Sequence, residues 1–461
     1  MTQTTVTNNG LGENDPWADV DPPGAGTASR PGLLPEEFWD ARPLFKHIRL
    51  AAHSQACSGD VAFWATVSRL SAMLSHNIRA QTDIADRASL NLFAAPVGPS
   101  GTGKSTGARI ARKLIPAPFE GFLDGLPIGT GEGIAEALMG TVDEDTGKFH
   151  KGEPVTAKVR KQVRHNVFYY VDEGATLAQI ASRPGSTLGE AIRSAAIGEA
   201  LGQTNASEER RRYIAPEPYS MGMFIGFQPS TALPLLMESG KGTPQRFFWL
   251  WSTDPSIPRK GFPWPGGIEV PKEFISCDEP LDVTFPQSIK DDLRAALVDR
   301  ATGAIEIAEL DGHAGLMKVK AAALFALLNG STDVTDEDWS LAEIAWKCSC
   351  AVRDALIEDA RREVVVQRER EDDAKVRLAV RTHDAKSSAD RDVRRIALAI
   401  WRHAARSGGI SCGACRKALA SRDRDLFEKG IDHAEAEGWV FVEKDQICAC
   451  AGAAPEGGHR S

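Results

Sequence analysis

The stretch Gly98-Pro99-Ser100-Gly101-Thr102-Gly103-Lys104-Ser105, followed by Thr106, restricts this chain more than any other. Its spacing, GxxxxGKS, is the phosphate-binding P-loop signature. Glycines let successive backbone N–H groups turn onto phosphate oxygens. The lysine bridges the terminal phosphates, the serine hydroxyl ligates Mg²⁺, and a helix N-terminus favours the anion. The flanks agree with this reading. The apolar run at 89–95 reads as a strand, and 106–115 carries helical spacing. An α/β fold built on a nucleotide-binding parallel sheet is therefore expected, with ATP and Mg²⁺ held by residues 98–106. An accidental glycine-rich strand–helix turn is the competing reading.

A second stretch strengthens the first. Val167-Phe168-Tyr169-Tyr170-Val171-Asp172-Glu173 is a β-branched and aromatic run ending in two carboxylates, 68 residues after Lys104. Asp172 is expected to join Ser105 on Mg²⁺, and Glu173 to polarise the attacking water as general base. The run at 221–228 reads as another buried strand, with Gln228 at its end placed to sense a γ-phosphate; an amide that merely closes a strand is the alternative. Arg246, ahead of Phe247-Phe248-Trp249-Leu250, fits an arginine finger offered to a neighbouring subunit, against a flanking salt bridge. Arg210, Arg211 and Arg212 end a polar segment between two expected strands. They read either as contacts to a nucleic-acid backbone or as a solvated turn offset by Glu208 and Glu209. Glu132, in a glycine-rich loop opening a helix, faces a nucleotide or a partner, or the segment serves as a helix cap.

Around this core, residues 1–34 are polar and rich in Gly, Pro, Thr and Asn, and read as a disordered tail. Residues 35–85 carry helical apolar spacing and form a helical subdomain, ahead of an ATPase core over 86–285. Residues 286–358 are mostly helical and are expected to form a lid, with Lys320 as a possible second sensor or a solvated surface lysine. Residues 359–390 are densely charged, a long helix or linker. Residues 391–447 read as a winged helix–turn–helix: a stripe of Val393, Ile396, Ile400, Trp401 and Ala404, a break at Gly408-Gly409, two short helices and a wing strand from Gly438. Residues 448–461 read as a flexible tail.

The net charge of −9 argues against wholesale coating of nucleic acid, but ten Lys and Arg against four Asp and Glu over 391–429 leave a local charge of +6. Arg416, Lys417, Arg422 and Arg424 are the expected phosphate contacts there, with protein docking as the other use of such a module. Eight cysteines, no secretory pattern at the start and no apolar run of membrane-spanning length point to a cytoplasmic protein with reduced thiols. Cys412, Cys415, Cys448 and Cys450 depart from zinc-knuckle spacing and read as small buried or surface residues.

The order of P-loop, Asp172-Glu173, Gln228 and Gln245-Arg246-Phe247 resembles that of the helicase-like P-loop ATPases of bacterial phages, plasmids and integrative elements, within the AAA+/RecA-like group. Leu90-Asn91-Leu92-Phe93, Gly131-Glu132-Gly133, the run from Gly198 to Gln203 and Gly242-Thr243-Pro244-Gln245-Arg246-Phe247 are similar to an actinobacterial branch associated with primase–polymerase domains. The resemblance spans about residues 40–445. It implies a homo-oligomeric ring that hydrolyses ATP at subunit boundaries, translocates on DNA in replication of a mobile element, and works near a primase. The chain itself has no primase-like acidic constellation. The other functions open to such a sequence are an ATP-switched DNA-binding initiator, loader or regulator, and a small-molecule kinase. The arginine-finger candidate and the C-terminal module disfavour the kinase.

Overall fold

The computed structural model describes residues 31–84, 86–150, 153–174, 186–203, 212–237 and 242–452. They divide into two compact units, one ending at Ala360 and the other starting at Arg361.

The first unit opens with α1 (Glu36–Asp40), α2 (Pro43–Ser54) and α3 (Gly59–Met73), then β1 (Ile78–Gln81) and β2 (Leu92–Val97). After the P-loop come α4 (Lys104–Leu114), β3 (Leu123–Leu126), α5 (Gly131–Glu136), the antiparallel ribbon of β4 (Met139–His150) and β5 (Glu153–Gln162), and β6 (Asn166–Val171). Next are α6 (Leu188–Ile197), the short pair β7 (Leu201–Gln203) and β8 (Arg212–Ile214), β9 (Ser220–Ile225), α7 (Pro229–Met237) and β10 (Phe247–Trp251). The unit closes with α8 (Lys272–Ile275), β11 (Leu281–Thr284), α9 (Gln287–Ala301), α10 (Ala314–Leu328) and the first part of α11 (Asp336–Ser407).

Five strands form one parallel sheet in the order β10-β2-β9-β6-β3. Its strands are apolar on both faces, as a parallel sheet covered by helices requires. Alternate side chains enter two separate cores. Leu92, Ala94, Phe168, Phe224, Phe248 and Leu250 face the layer of α1–α4 and α10. Phe93, Ala95, Tyr169, Met223, Trp249 and Trp251 face α5–α7.

All fifteen residues of α3 are buried, which explains why its apolar residues circle the helix instead of forming a stripe. Two glycines permit its close approach. A Cβ on Gly222 of β9 would stand 1.9 Å from Ser68 O, and one on Gly107 of α4 would stand 2.3 Å from Val61 Cγ1. The buried Arg69 is satisfied by Ile115 O (2.8 Å) and the Asp124 carboxylate. Phe38, Phe45, Phe63 and Phe325 pack mainly edge-to-face and tie α1–α3 to α10.

Three expectations change here. Residues 31–34 are part of the packed unit and not of a tail: Leu34 is buried, and Pro31 O accepts from the Trp251 indole at 2.8 Å, giving a buried N–H its partner. The segments expected as an N-terminal subdomain, core and lid form one unit, with β1 paired in parallel to β11. Lys320 is neither a nucleotide sensor nor a surface lysine. Buried on α10, its ammonium donates to Asn91 O and Ala196 O, beside the start of β2, and burial together with Arg246 pushes its pKa down to about 7.

The second unit holds the rest of α11, β12 (Ile410–Ser411), α12 (Cys412–Ala418), α13 (Phe427–Ala436), β13 (Val440–Glu443) and β14 (Gln446–Ala449). Its antiparallel sheet runs β12-β14-β13, around a core of Ile396, Ile400, Trp401, Phe427 and Ile447. The Ser411 hydroxyl caps α12 by accepting from Ala414 N. Cys448 and Ala449 belong to β14 and Cys450 N bonds to Trp439 O, so the sheet continues past 447; residues 453–461, like 1–30, lie outside the described residues.

Candidate functional site

The carboxyl ends of β2, β9 and β6 lie side by side, so the loops that follow them meet at one edge of the sheet. After β2 comes the glycine-rich loop, with Gly101 (φ +81°) and Gly103 (φ +85°) in left-handed backbone that favours glycine. Lys104 opens α4 and is largely buried. Its Nζ donates to Gly98 O at 2.8 Å and Pro99 O at 2.7 Å. Burial lowers its pKa, while Asp172 and Glu173 act in the opposite sense.

Asp172 and Glu173 follow β6, and Gly226-Phe227-Gln228 follow β9. Gln228 Nε2 donates to Glu173 Oε1 at 2.9 Å, and Tyr170 Oη donates to Asp172 Oδ1 at 2.7 Å. Burial and the Asp172 carboxylate push the Tyr170 phenol above its usual range, so it stays a donor. Two glycines permit this convergence. A Cβ on Gly226 would stand 2.6 Å from Asp172 O, and one on Gly174 would stand 2.3 Å from the Phe227 ring.

The loop from Ser100 to Thr106, Asp172, Glu173 and Gly226 to Gln228 line a cleft of about 590 Å³, within the usual range for small-molecule sites. Its other walls escaped the sequence reading. Ser252 and Asp254 follow β10, and Ala56 lies in the turn between α2 and α3. Thr102 and Ser252 hydroxyls are 2.6 Å apart. Burial pushes the Asp254 carboxyl up, but hydrogen bonds from His53 and Ser256 outweigh it and hold the group below its ordinary range. The polar run Ser252-Thr253-Asp254 at the end of an aromatic strand was a usable signal for this wall; the turn at Ala56 had none, because only tertiary packing brings it to the loop.

The chemistry of the cleft suits a nucleotide with Mg²⁺. Ser105 and Asp172 offer hard oxygen ligands of the kind Mg²⁺ takes. The loop presents backbone N–H groups ahead of a helix start, and Lys104 holds its charge on carbonyls, which a phosphate can replace.

Arg246 lies at the other end of the sheet. It precedes β10, which pairs in parallel with β2, so five residues, about 16 Å of strand, separate it from the cleft edge. Its Nη1 donates to Gly242 O, its buried Nε has no hydrogen-bond partner among the described residues, and burial and the nearby Arg193 push its pKa down to about 10. Among the described residues no carboxylate forms an ion pair with it.

The remaining candidates fall elsewhere. Glu132 accepts from Thr187 Oγ1 and Gln203 Nε2, both at 3.0 Å, away from the cleft. Arg212 pairs with Glu136 at 2.6 Å, and Arg210 and Arg211 lie outside the described residues. In the second unit Arg416, Lys417 and Arg422 are exposed, whereas the Arg424 guanidinium donates to the carbonyls of Lys417 and Leu419. All eight cysteines are free, and among the described residues no cluster of three or more His, Cys, Asp or Glu is placed to hold a metal.

No protein family and no curated protein matches this chain. Among the described residues no helix is long and apolar enough to cross a membrane.

Proposed function

We propose that the chain is a DNA-dependent ATPase working as an oligomeric helicase or translocase. One observation carries this reading: Lys104, Ser105, Asp172, Glu173 and Gln228 converge on a single cleft, with Gln228 bonded to Glu173. In it Lys104 exchanges its loop carbonyls for the terminal phosphates, and Ser105 and Asp172 hold Mg²⁺. When bound, Mg²⁺ neutralises charge on the phosphate oxygens. Glu173 orients and deprotonates the attacking water, and Gln228 holds Glu173 in place until a γ-phosphate competes for its amide.

The cleft carboxylates favour AAA+ wiring over RecA-type. Among the described residues Asp172, Glu173 and Asp254 are the carboxylates that line the cleft, with no glutamate from another strand. Arg246, too far from its own cleft and without a carboxylate partner among the described residues, fits a group offered to a neighbour's nucleotide, which supports a homo-oligomeric ring. The C-terminal unit fits a winged helix, and its exposed Arg416, Lys417 and Arg422 fit phosphate contacts. Replication of a mobile element beside a primase follows from the sequence resemblance alone.

The test is the ATPase rate with and without single-stranded DNA, beside Lys104→Ala, which should abolish it. Glu173→Gln should retain nucleotide and lose about 10²–10⁴ in rate. Mixing inactive Arg246→Ala with Glu173→Gln should restore part of the activity, because some boundaries then hold both native groups. A competent ATPase that ignores DNA would sink the motor reading, and DNA stimulation without unwinding of a forked duplex would favour a loader or regulator.

A further inference from the structure

The Tyr170 phenol holds one of the two side chains assigned to Mg²⁺, donating to Asp172 Oδ1 at 2.7 Å. Its ring packs against two groups that do not line the cleft. Phe224 of β9 stacks on it with centroids 6.5 Å apart and 21° between planes, and the Arg112 guanidinium of α4 lies 5.9 Å from its centroid. Arg112 is itself anchored on Asp124 at 3.0 Å. Gly125 makes room for this arrangement, since a Cβ there would collide with the Arg112 guanidinium.

Asp172 is exposed at the cleft edge, where an aspartate samples several rotamers. A donor held rigidly on Oδ1 selects among them and leaves Oδ2 free. We propose that Tyr170 is a positioning residue that presets Asp172 as a ligand for nucleotide-bound Mg²⁺. This rests on the ATPase reading above. Tyr170 itself is not a ligand, and the contacts of Lys104 do not involve it. Its contribution is therefore confined to the Mg²⁺-dependent part of nucleotide affinity.

The test measures binding of a fluorescent, non-hydrolysable ATP analogue to the full chain, in EDTA and across a Mg²⁺ titration. Tyr170→Phe keeps the ring and its stacking. It should keep the EDTA affinity and lose about tenfold of the gain that Mg²⁺ confers, the size of one hydrogen bond to a charged group. In an Asp172→Asn background, adding Tyr170→Phe should change the Mg²⁺ response no further. An unchanged Mg²⁺ gain in Tyr170→Phe, or an equal loss with and without Mg²⁺, overturns the proposal while the ATPase reading stands. A wild-type chain that binds no analogue in either condition overturns both.

Discussion

Gly226 illustrates how little space the cleft leaves for change. With a Cβ placed 2.6 Å from Asp172 O and 3.3 Å from Lys104 Cδ, Gly226→Ala has to move either the end of β6 or the Lys104 side chain. Overpacking of this kind costs about 1–3 kcal/mol. The expected result is a nucleotide affinity reduced at least about tenfold, measured by the same analogue titration, while the fold persists by circular dichroism. Away from the cleft, His76 stacks on His165 with ring centroids 4.5 Å apart, and burial, with His165 and Arg79, pushes its pKa down to about 4. An unfolded histidine takes up its proton near pH 6.5, which folded His76 resists until about pH 4. Stability is therefore full above pH 6.5 and falls as the pH drops through that window. His313, pushed down to about 4 by burial and surrounding cations, adds the same sign. Urea midpoints at pH 7 and pH 5 should differ less in His76→Asn than in the wild type; an identical difference would remove His76 from the account.

Helix α3 is the element on which the sheet depends. Burial on every side makes it the inner layer between the sheet and the helices α2 and α10, and Gly222 sets its distance from β9. Gly222→Ala meets the carbonyl of Ser68, which cannot rotate away, and should destabilise the chain by about 1–3 kcal/mol in urea denaturation. Gly413, in the first turn of α12, is the internal control. Its Cβ would meet nothing within 4 Å and its φ is not positive, so Gly413→Ala should be neutral or stabilising by about 0.4–1 kcal/mol. Helical spacing announced α2 and the strand–loop–helix at Gly98 because each pattern is local. The ribbon of β4 and β5 escaped the sequence reading: most of its side chains are exposed, so it carries no apolar alternation, and only backbone pairing from Met139↔Gln162 to His150↔Glu153 defines it.

Two units with separate cores imply separable folding. Residues 361–461 contain their own apolar cluster, with Trp401 and Phe427 buried within it, and the described residues of 361–390 are exposed throughout α11. A fragment of residues 361–461 should unfold cooperatively on heating. Trp401→Ala should destabilise it by about 3–5 kcal/mol. A fragment without a cooperative transition would show that this core does not suffice alone.

The strand–loop–helix at Gly98–Ser105, the strand that ends before Asp172-Glu173 and the α/β class could be read from residues alone, because each depends on chemistry confined to a few neighbours in the chain. Gly98–Ser105 needs glycines and a lysine at fixed offsets wherever the chain goes afterwards. The packing of residues 31–34, the burial of Lys320, the distance of Arg246 from its own cleft and the approach of Ala56 to the loop could not. They depend on which strands become neighbours, and strand order is set by burying two faces of one sheet at once, a property of the whole chain that no local window records. The same ordering turned a loop that only promised phosphate binding into one wall of a cleft completed by Glu173 and Gln228.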